Sequence, residues 1–268
     1  MQFLYLPCFC LAVCCIIMVL VWFWAVRIRN AGVVDIFWSY NFPVIGIILA
    51  AGAPGYGPRR WLIGTMVLLA GLRLGTHLLV RIVSRLDVEE GRYRQLRKEW
   101  EPAPDRKFFW FFQAQALSNV LLAVPFFVIA FNPHPGFLPL EYGGAGLWLA
   151  AVTGEAISDR QLSAFIAGPS NKGKVCDRGL WHYSRHPNYF FEWLMWVSYA
   201  VMALASPYGY LGLISPLVIL YLLLRVTGIP ATEAQSLRSK GPLYRAYQER
   251  TSPFIPWMPK NGSNQLPR

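Results

Sequence analysis

The sequence predicts an all-α, polytopic membrane protein built as a bundle of seven transmembrane helices. Three observations carry that expectation. Hydrophobic residues make up 55% of the chain against 15% charged, and the mean hydropathy is +0.35, a balance that soluble domains rarely show. Several apolar runs reach the roughly 20 residues needed to cross about 30 Å of hydrocarbon. Lys and Arg gather in alternate connections rather than evenly along the chain.

The spans follow in order. Phe3 to Val26 is apolar with no basic n-region and no small-residue cleavage site, so it is a retained first helix. Val33 to Ala51, Trp61 to Val83 and Phe108 to Phe131 are the next three. The fifth, Gly143 to Ser158, is short and contains Glu155, so its C-terminal end is expected to line something wet. Asn188 to Ala205 and Tyr210 to Thr227 complete the seven. Turns such as "AGAPGYGP", "NPHPG" and "SPYG" separate spans on one side. Neither a linker nor an internal repeat is visible, so residues 1–268 read as one domain with a disordered tail from about 258 to 268.

The net charge of +11 invites a nucleic-acid partner, but its distribution argues against one. The connections after spans one, three and five and the C-terminal tail, counted with Arg81 and Arg225 at the ends of the third and seventh spans, hold 22 of the 25 Lys and Arg. That is the positive-inside pattern, placing those segments in the cytoplasm and the N-terminus outside. No nucleic-acid partner is expected; membrane lipids are, and the chain is expected to be a monomer. Four of the five cysteines lie in the first span (Cys8, Cys10, Cys14, Cys15), which is no disulfide framework. Neither GxGxxG nor GxxxxGK[ST] occurs, so no Rossmann domain or P-loop is expected, and no GxSxG elbow is present.

The polar residues concentrate in Arg81 to Lys107, Asp159 to Pro187 and the tail from Arg225. Within "GLWHYSRHPNYFFEW", Pro187 with Ser184 or His186 before it marks a helix start. Such a start offers free N–H groups to an anion, and Arg185 could add a fork to a phosphate or carboxylate. Asn188 and Glu192, four apart, share one helical face with Tyr189 beside them; Tyr183 precedes the turn. Upstream, Lys172 and Lys174 could neutralise phosphates, and Asp159 could take hydrogen bonds from a ribose or amide. His77 and Arg81 recur on one stripe of the third span, with Arg85 following, then Arg92 and Tyr93. Asp35 is the one acid of the second span, followed by Trp38, Tyr40 and Asn41; a carboxyl among neutral groups can serve as an acid. Arg225, Tyr244, Arg245 and Tyr247 line the exit of the last span and the tail. Metal is not expected, because Pro187 separates the helical faces of His182 and His186.

The run Gly179 to Glu192 resembles a signature of the superfamily that includes steroid 5α-reductases, sterol reductases and isoprenylcysteine carboxyl methyltransferases. The closest resemblance is to bacterial, DUF1295-like relatives of the steroid 5α-reductases. It extends to Asp159, Gln161, Phe165 and Gly173-Lys174 upstream, and to Tyr244, Tyr247 and "SPFIP" in the tail. The N-terminal half is similar more loosely, through His77-x-x-x-Arg81 and Gly91-Arg92.

The resemblance implies a seven-helix bundle with a pocket for NADPH in its cytoplasmic half. It also implies hydride transfer to the β-carbon of a conjugated enone, such as the Δ4 bond of a 3-oxo-steroid entering from the bilayer. The cofactor would be gripped by Arg185, His186, Asn188, Tyr189 and Glu192, with Trp38, Arg81, Arg92, Asp159, Lys172, Lys174 and Tyr183 adding to it. Arg225, Tyr244 and Tyr247 would close the site. His77 joins the candidates for catalysis. The eukaryotic enzymes use a Gln-Glu pair in the second span and a Tyr after the His of the third. Here Leu78 follows His77 and no Gln-Glu pair exists, so Asp35, Tyr40 or Asn41 would have to stand in. The alternatives are an S-adenosylmethionine-dependent methyltransferase, whose family shares the "RHPxY" core, and a non-enzymatic seven-helix receptor or transporter.

Overall fold

A computed structural model describes residues 2–84, 86–226 and 228–260. Among these, every regular element is helical, and the one β-bridge joins Ser184 to Ser252. The helices are α1 (Gln2–Ile28), α2 (Val33–Gly52), α3 (Gly57–Val83), α4 (Gly91–Glu99), α5 (Pro104–Leu122), α6 (Val124–Phe131), α7 (Pro139–Ala167), α8 (Leu180–Tyr183), α9 (Pro187–Ala203), α10 (Ile214–Tyr221), α11 (Ile229–Lys240) and α12 (Pro242–Arg250). Proline sets their starts. Seven of them, α3, α5, α6, α7, α9, α11 and α12, carry it at the first or second position, where its missing N–H costs nothing and its fixed φ suits the first turn.

Five helical stretches are long and apolar enough to cross a membrane: Leu4–Ile28, Val33–Gly52, Gly57–Val83, Pro104–Phe131 and Gly209–Lys240. The chain is a membrane protein. The fourth stretch breaks at Ala123, because Pro125 cannot donate within the helix. The expected fifth and sixth spans fall in α7 and α9. α7 carries Glu141, Glu155, Asp159 and Arg160 along its 29 residues, and α9 is only 17 residues long, so neither is among the five. The expected end of the seventh span, Thr227, lies outside the described residues, as do Arg85 and residues 261–268 of the tail.

The chain forms two compact units. The first runs to Pro139 and includes Ala203–Gly212. Its α2 and α3 lie close because glycines line the contact: a Cβ on Gly64 would come 2.8 Å from Ala50, and Gly71 and Gly75 face Pro43 and Tyr40. Small residues let membrane helices approach where no hydrophobic drive exists between them. Buried Arg59 donates to the carbonyls of Asn132, His134 and Gly136 at 3.1, 2.7 and 2.5 Å. It thereby clamps the turn after α6.

The second unit comprises Leu140–Met202 and Leu213 onward. Here α7 meets α9 through Gly144 and Gly154, which face Met202 and Phe191. Trp148 Nε1 donates to Tyr199 Oη at 2.8 Å across the same seam. A Cβ at Gly144 would also lie 2.9 Å from the Ser198 carbonyl, whereas one at Gly146 would meet nothing within 4 Å. Gly144→Ala should therefore destabilise by about 1–3 kcal/mol through overpacking. Gly146→Ala should leave stability unchanged or slightly raised. Thermal unfolding of the two variants in one detergent checks the contrast.

Candidate functional site

The second unit joins the two halves of the C-terminal signature. Gly179 has φ +59°, and any Cβ there would strike Gln161. The same Gln161 accepts the Leu180 N–H through Oε1 at 2.9 Å, and Trp181 Nε1 donates to the Ser158 carbonyl at 2.9 Å. One turn later Ser184, not His186, caps the start of α9: its Oγ accepts the His186 N–H at 3.1 Å and donates to the Phe254 carbonyl at 2.8 Å. α9 then opens with Pro187, as the sequence leads one to expect.

On its first turns, Asn188 donates from Nδ2 to Asp159 Oδ1 at 3.3 Å, and its Oδ1 accepts the Tyr189 N–H at 3.0 Å. The Tyr189 ring stacks on His186 with centroids 5.4 Å apart and planes within 6°, and its hydroxyl lies 3.1 Å from Thr232 Oγ1. Glu192 Oε1 accepts Trp196 Nε1 at 3.1 Å. Asp159, Asn188, Tyr189 and Glu192 are all half-buried, so they are held in place yet remain reachable.

Arg185 has a different role from the anion-binding fork expected of it. It is 9% exposed, and its Nε donates to Glu233 Oε1 at 2.6 Å. One Nη donates to the carbonyls of Gln248 and Thr251 at 2.7 and 2.8 Å. These lie at the C-terminal end of α12, where orphaned acceptors favour a cation. Glu233 also lies 3.4 Å from His186 Nε2 and accepts Gln248 Nε2 at 2.9 Å. With the Arg185 N–H donating to the Ser252 carbonyl at 2.8 Å, this segment docks α11, α12 and the tail.

Tyr247 belongs to the same joint. It is 2% exposed, and its hydroxyl bonds the carbonyls of Trp181 and Ser184. Tyr244 lies 5.8 Å away, also buried; both fill the joint instead of offering a face to a ligand. Tyr183 and Arg225 are exposed, the latter on a π-helical turn, Leu222–Val226, an element often found at functional sites.

Burial pushes the Tyr244 phenol up to about 12 and the Tyr247 phenol upward as well. A phenol whose pKa is raised on folding lends its full stability below its unfolded value of about 10. That contribution is lost as pH climbs through the folded value. The melting temperature should hold up to about pH 10 and fall above it, and Tyr244→Phe should remove part of the fall.

Lys172 and Lys174, with Lys240 and Phe165, line a pocket of about 420 Å³ at the end of α7. Neither Asp159 nor Asn188 lines the pocket that holds these lysines.

In the first unit, half-buried Asp35 accepts the Tyr93 hydroxyl through Oδ1 at 2.7 Å. Burial, and then the charge of Asp35, raise the Tyr93 phenol well above its usual value. Arg92 stacks over the Tyr93 ring at 5.3 Å, and Arg81 pairs with Glu90 at 3.1 Å. Tyr40 Oη lies 3.2 Å from Thr76 Oγ1, and His77 is exposed. Buried Asn41 donates to Asn119 Oδ1 at 2.9 Å, while Asn119 Nδ2 and Trp38 Nε1 bond the Trp38 carbonyl and Ser118. This gives α2 and α5 a polar seam.

Two residues outside the expected site matter most: Glu233, central to the Arg185 joint, and Tyr93, partner of Asp35. An isolated acid just after an apolar span pointed to the first, and a Tyr within a basic loop to the second.

A family described as "Protein of unknown function (DUF1295)" matches residues 21–251. The chain belongs to this family. No curated protein and no solved structure matches the chain.

Proposed function

We propose that this DUF1295 protein is an NADPH-dependent reductase that saturates the C=C bond of a conjugated enone, with the Δ4 bond of a 3-oxo-steroid as leading substrate. In this proposal α7 and α9 are the fifth and sixth of seven spans. The N-terminus is outside and the C-terminus cytoplasmic in a bacterial inner membrane, and the chain acts as a monomer. The observation that carries it is the Asn188–Asp159 contact, which joins two parts of the signature 29 residues apart.

The donor set fits the cofactor. An amide at Asn188 and carboxylates at Asp159 and Glu192 can bond the carboxamide and ribose hydroxyls of a nicotinamide nucleotide. Arg225 and the N-terminal turn of α9 offer positive potential to its phosphates. Arg185, His186, Tyr244 and Tyr247 then act as positioning residues, since their contacts hold the segment that carries Asn188.

When bound, NADPH supplies the hydride taken up by the β-carbon of the enone. Negative charge then develops on the carbonyl oxygen, which needs a hydrogen-bond donor, and the α-carbon needs a proton. Of the candidate acids in the first unit, Asp35 already accepts the Tyr93 hydroxyl at 2.7 Å. Tyr40 and Asn41 are occupied in helix contacts.

Incubation of the purified protein with a 3-oxo-Δ4-steroid and NADPH deuterated at the transferable position tests the proposal. The expected product is the saturated ketone with deuterium at the β-carbon. No reduction across a panel of steroidal and linear enones would contradict it.

A further inference from the structure

The pocket at the end of α7 has two unlike walls. One is apolar: Leu162, Phe165 and Ile166 recur at i, i+3 and i+4 on one stripe of the helix, and Ile166 is 71% exposed. The other is cationic, made of Lys172, Lys174 and Lys240. Gly173, at φ +79°, turns the chain between the first two lysines, and the Lys174 N–H donates to the Asn171 carbonyl at 3.0 Å. Among the described residues, no carboxylate lines the pocket. The nearest acid in sequence, Asp177, is held by Arg250 at 2.6 Å, so the lysine charge is not neutralised from within.

We propose that this pocket binds the phosphate headgroup of an acidic phospholipid, with the start of an acyl chain along the Leu162–Phe165–Ile166 stripe. A free phosphate would use the lysines and leave the apolar wall wet. A dinucleotide would need acceptors for its ribose hydroxyls, and the pocket supplies none from side-chain carboxylates. Among the described lining residues Asn171 has the one side-chain amide, and with its Nδ2 donating to the Phe165 carbonyl at 2.9 Å it keeps a single oxygen as acceptor, too few for the hydroxyls of two riboses. A lipid satisfies both walls at once. Basic pockets on membrane proteins hold acidic headgroups in this way, and about 420 Å³ is within the range of small-molecule sites.

The test is a thermal-shift titration of the full chain in neutral detergent with short-chain phosphatidylglycerol, phosphatidylcholine and inorganic phosphate, since a ligand that binds only the folded state raises the melting temperature. Phosphatidylglycerol should act at a concentration at least tenfold lower than phosphatidylcholine. The combined variant Lys172→Gln, Lys174→Gln, Lys240→Gln should lose at least tenfold of that response. An equal response to inorganic phosphate would overturn the lipid assignment. So would a variant that keeps its phosphatidylglycerol response while its NADPH affinity falls tenfold, which would give the lysines to the cofactor. Absence of any NADPH binding would count against the reductase proposal alone and leave the lipid response standing.

Discussion

Arg185→Ala should cost about 3–5 kcal/mol of stability, the largest effect expected of a single substitution in this chain. Removing one partner of a buried ion pair leaves the other charge uncompensated. Here the loss strands Glu233 and two carbonyls at the end of α12 together. Arg185→Lys should recover little, since one ammonium cannot reproduce a guanidinium fork that serves a carboxylate and two carbonyls. Exposed Arg160 in α7 is the control, with Arg160→Ala expected within about 0.5 kcal/mol of the parent. Thermal unfolding in detergent reads all three. The double variant Arg185→Ala, Glu233→Ala should lose less than the sum of the singles, because the two residues share one contact.

Asn188→Ala and Glu192→Ala should each weaken NADPH binding at least tenfold, about 1.4 kcal/mol, while the fold survives. Asn188 reaches Asp159 at a long 3.3 Å, and Glu192 accepts from Trp196 one turn further along the same helix. The first is a single long bond from α9 to α7 and the second lies within α9, whereas Arg185 makes several short bonds, so the loss should appear in binding more than in melting temperature. Isothermal titration of the variants against the parent separates the two. Unchanged affinity in both would remove this face of α9 from the proposed site.

The local features of this fold were legible in the sequence. Pro187 and Ser184 announce the start of α9, and the apolar runs announce α1, α2, α3 and the α5–α6 stretch, since both signals are written within a few residues. What Arg185 does was not legible: its partners Glu233, Gln248 and Thr251 lie 48 to 66 residues away, beyond any periodicity. A cation before a helix start suggests an anion site on chemistry alone, and only the packing of α12 shows the charge already used. α4 was missed because "GRYRQLRKE" buries Tyr93 alone and so has no apolar stripe to announce it. The short α9 and the charged α7 show the reverse limit: hydropathy finds their apolar segments, but length and charge keep both out of the set of helices that cross by composition alone.

The central claim is that the start of α9 grips a nicotinamide nucleotide. The most direct test is a thermal-shift titration of the purified protein with NADPH and, separately, with S-adenosylmethionine. The reductase account predicts a rise in melting temperature with NADPH that Asn188→Ala and Glu192→Ala diminish, and none with S-adenosylmethionine. A rise with S-adenosylmethionine alone would contradict it and assign the same residues to methyl transfer.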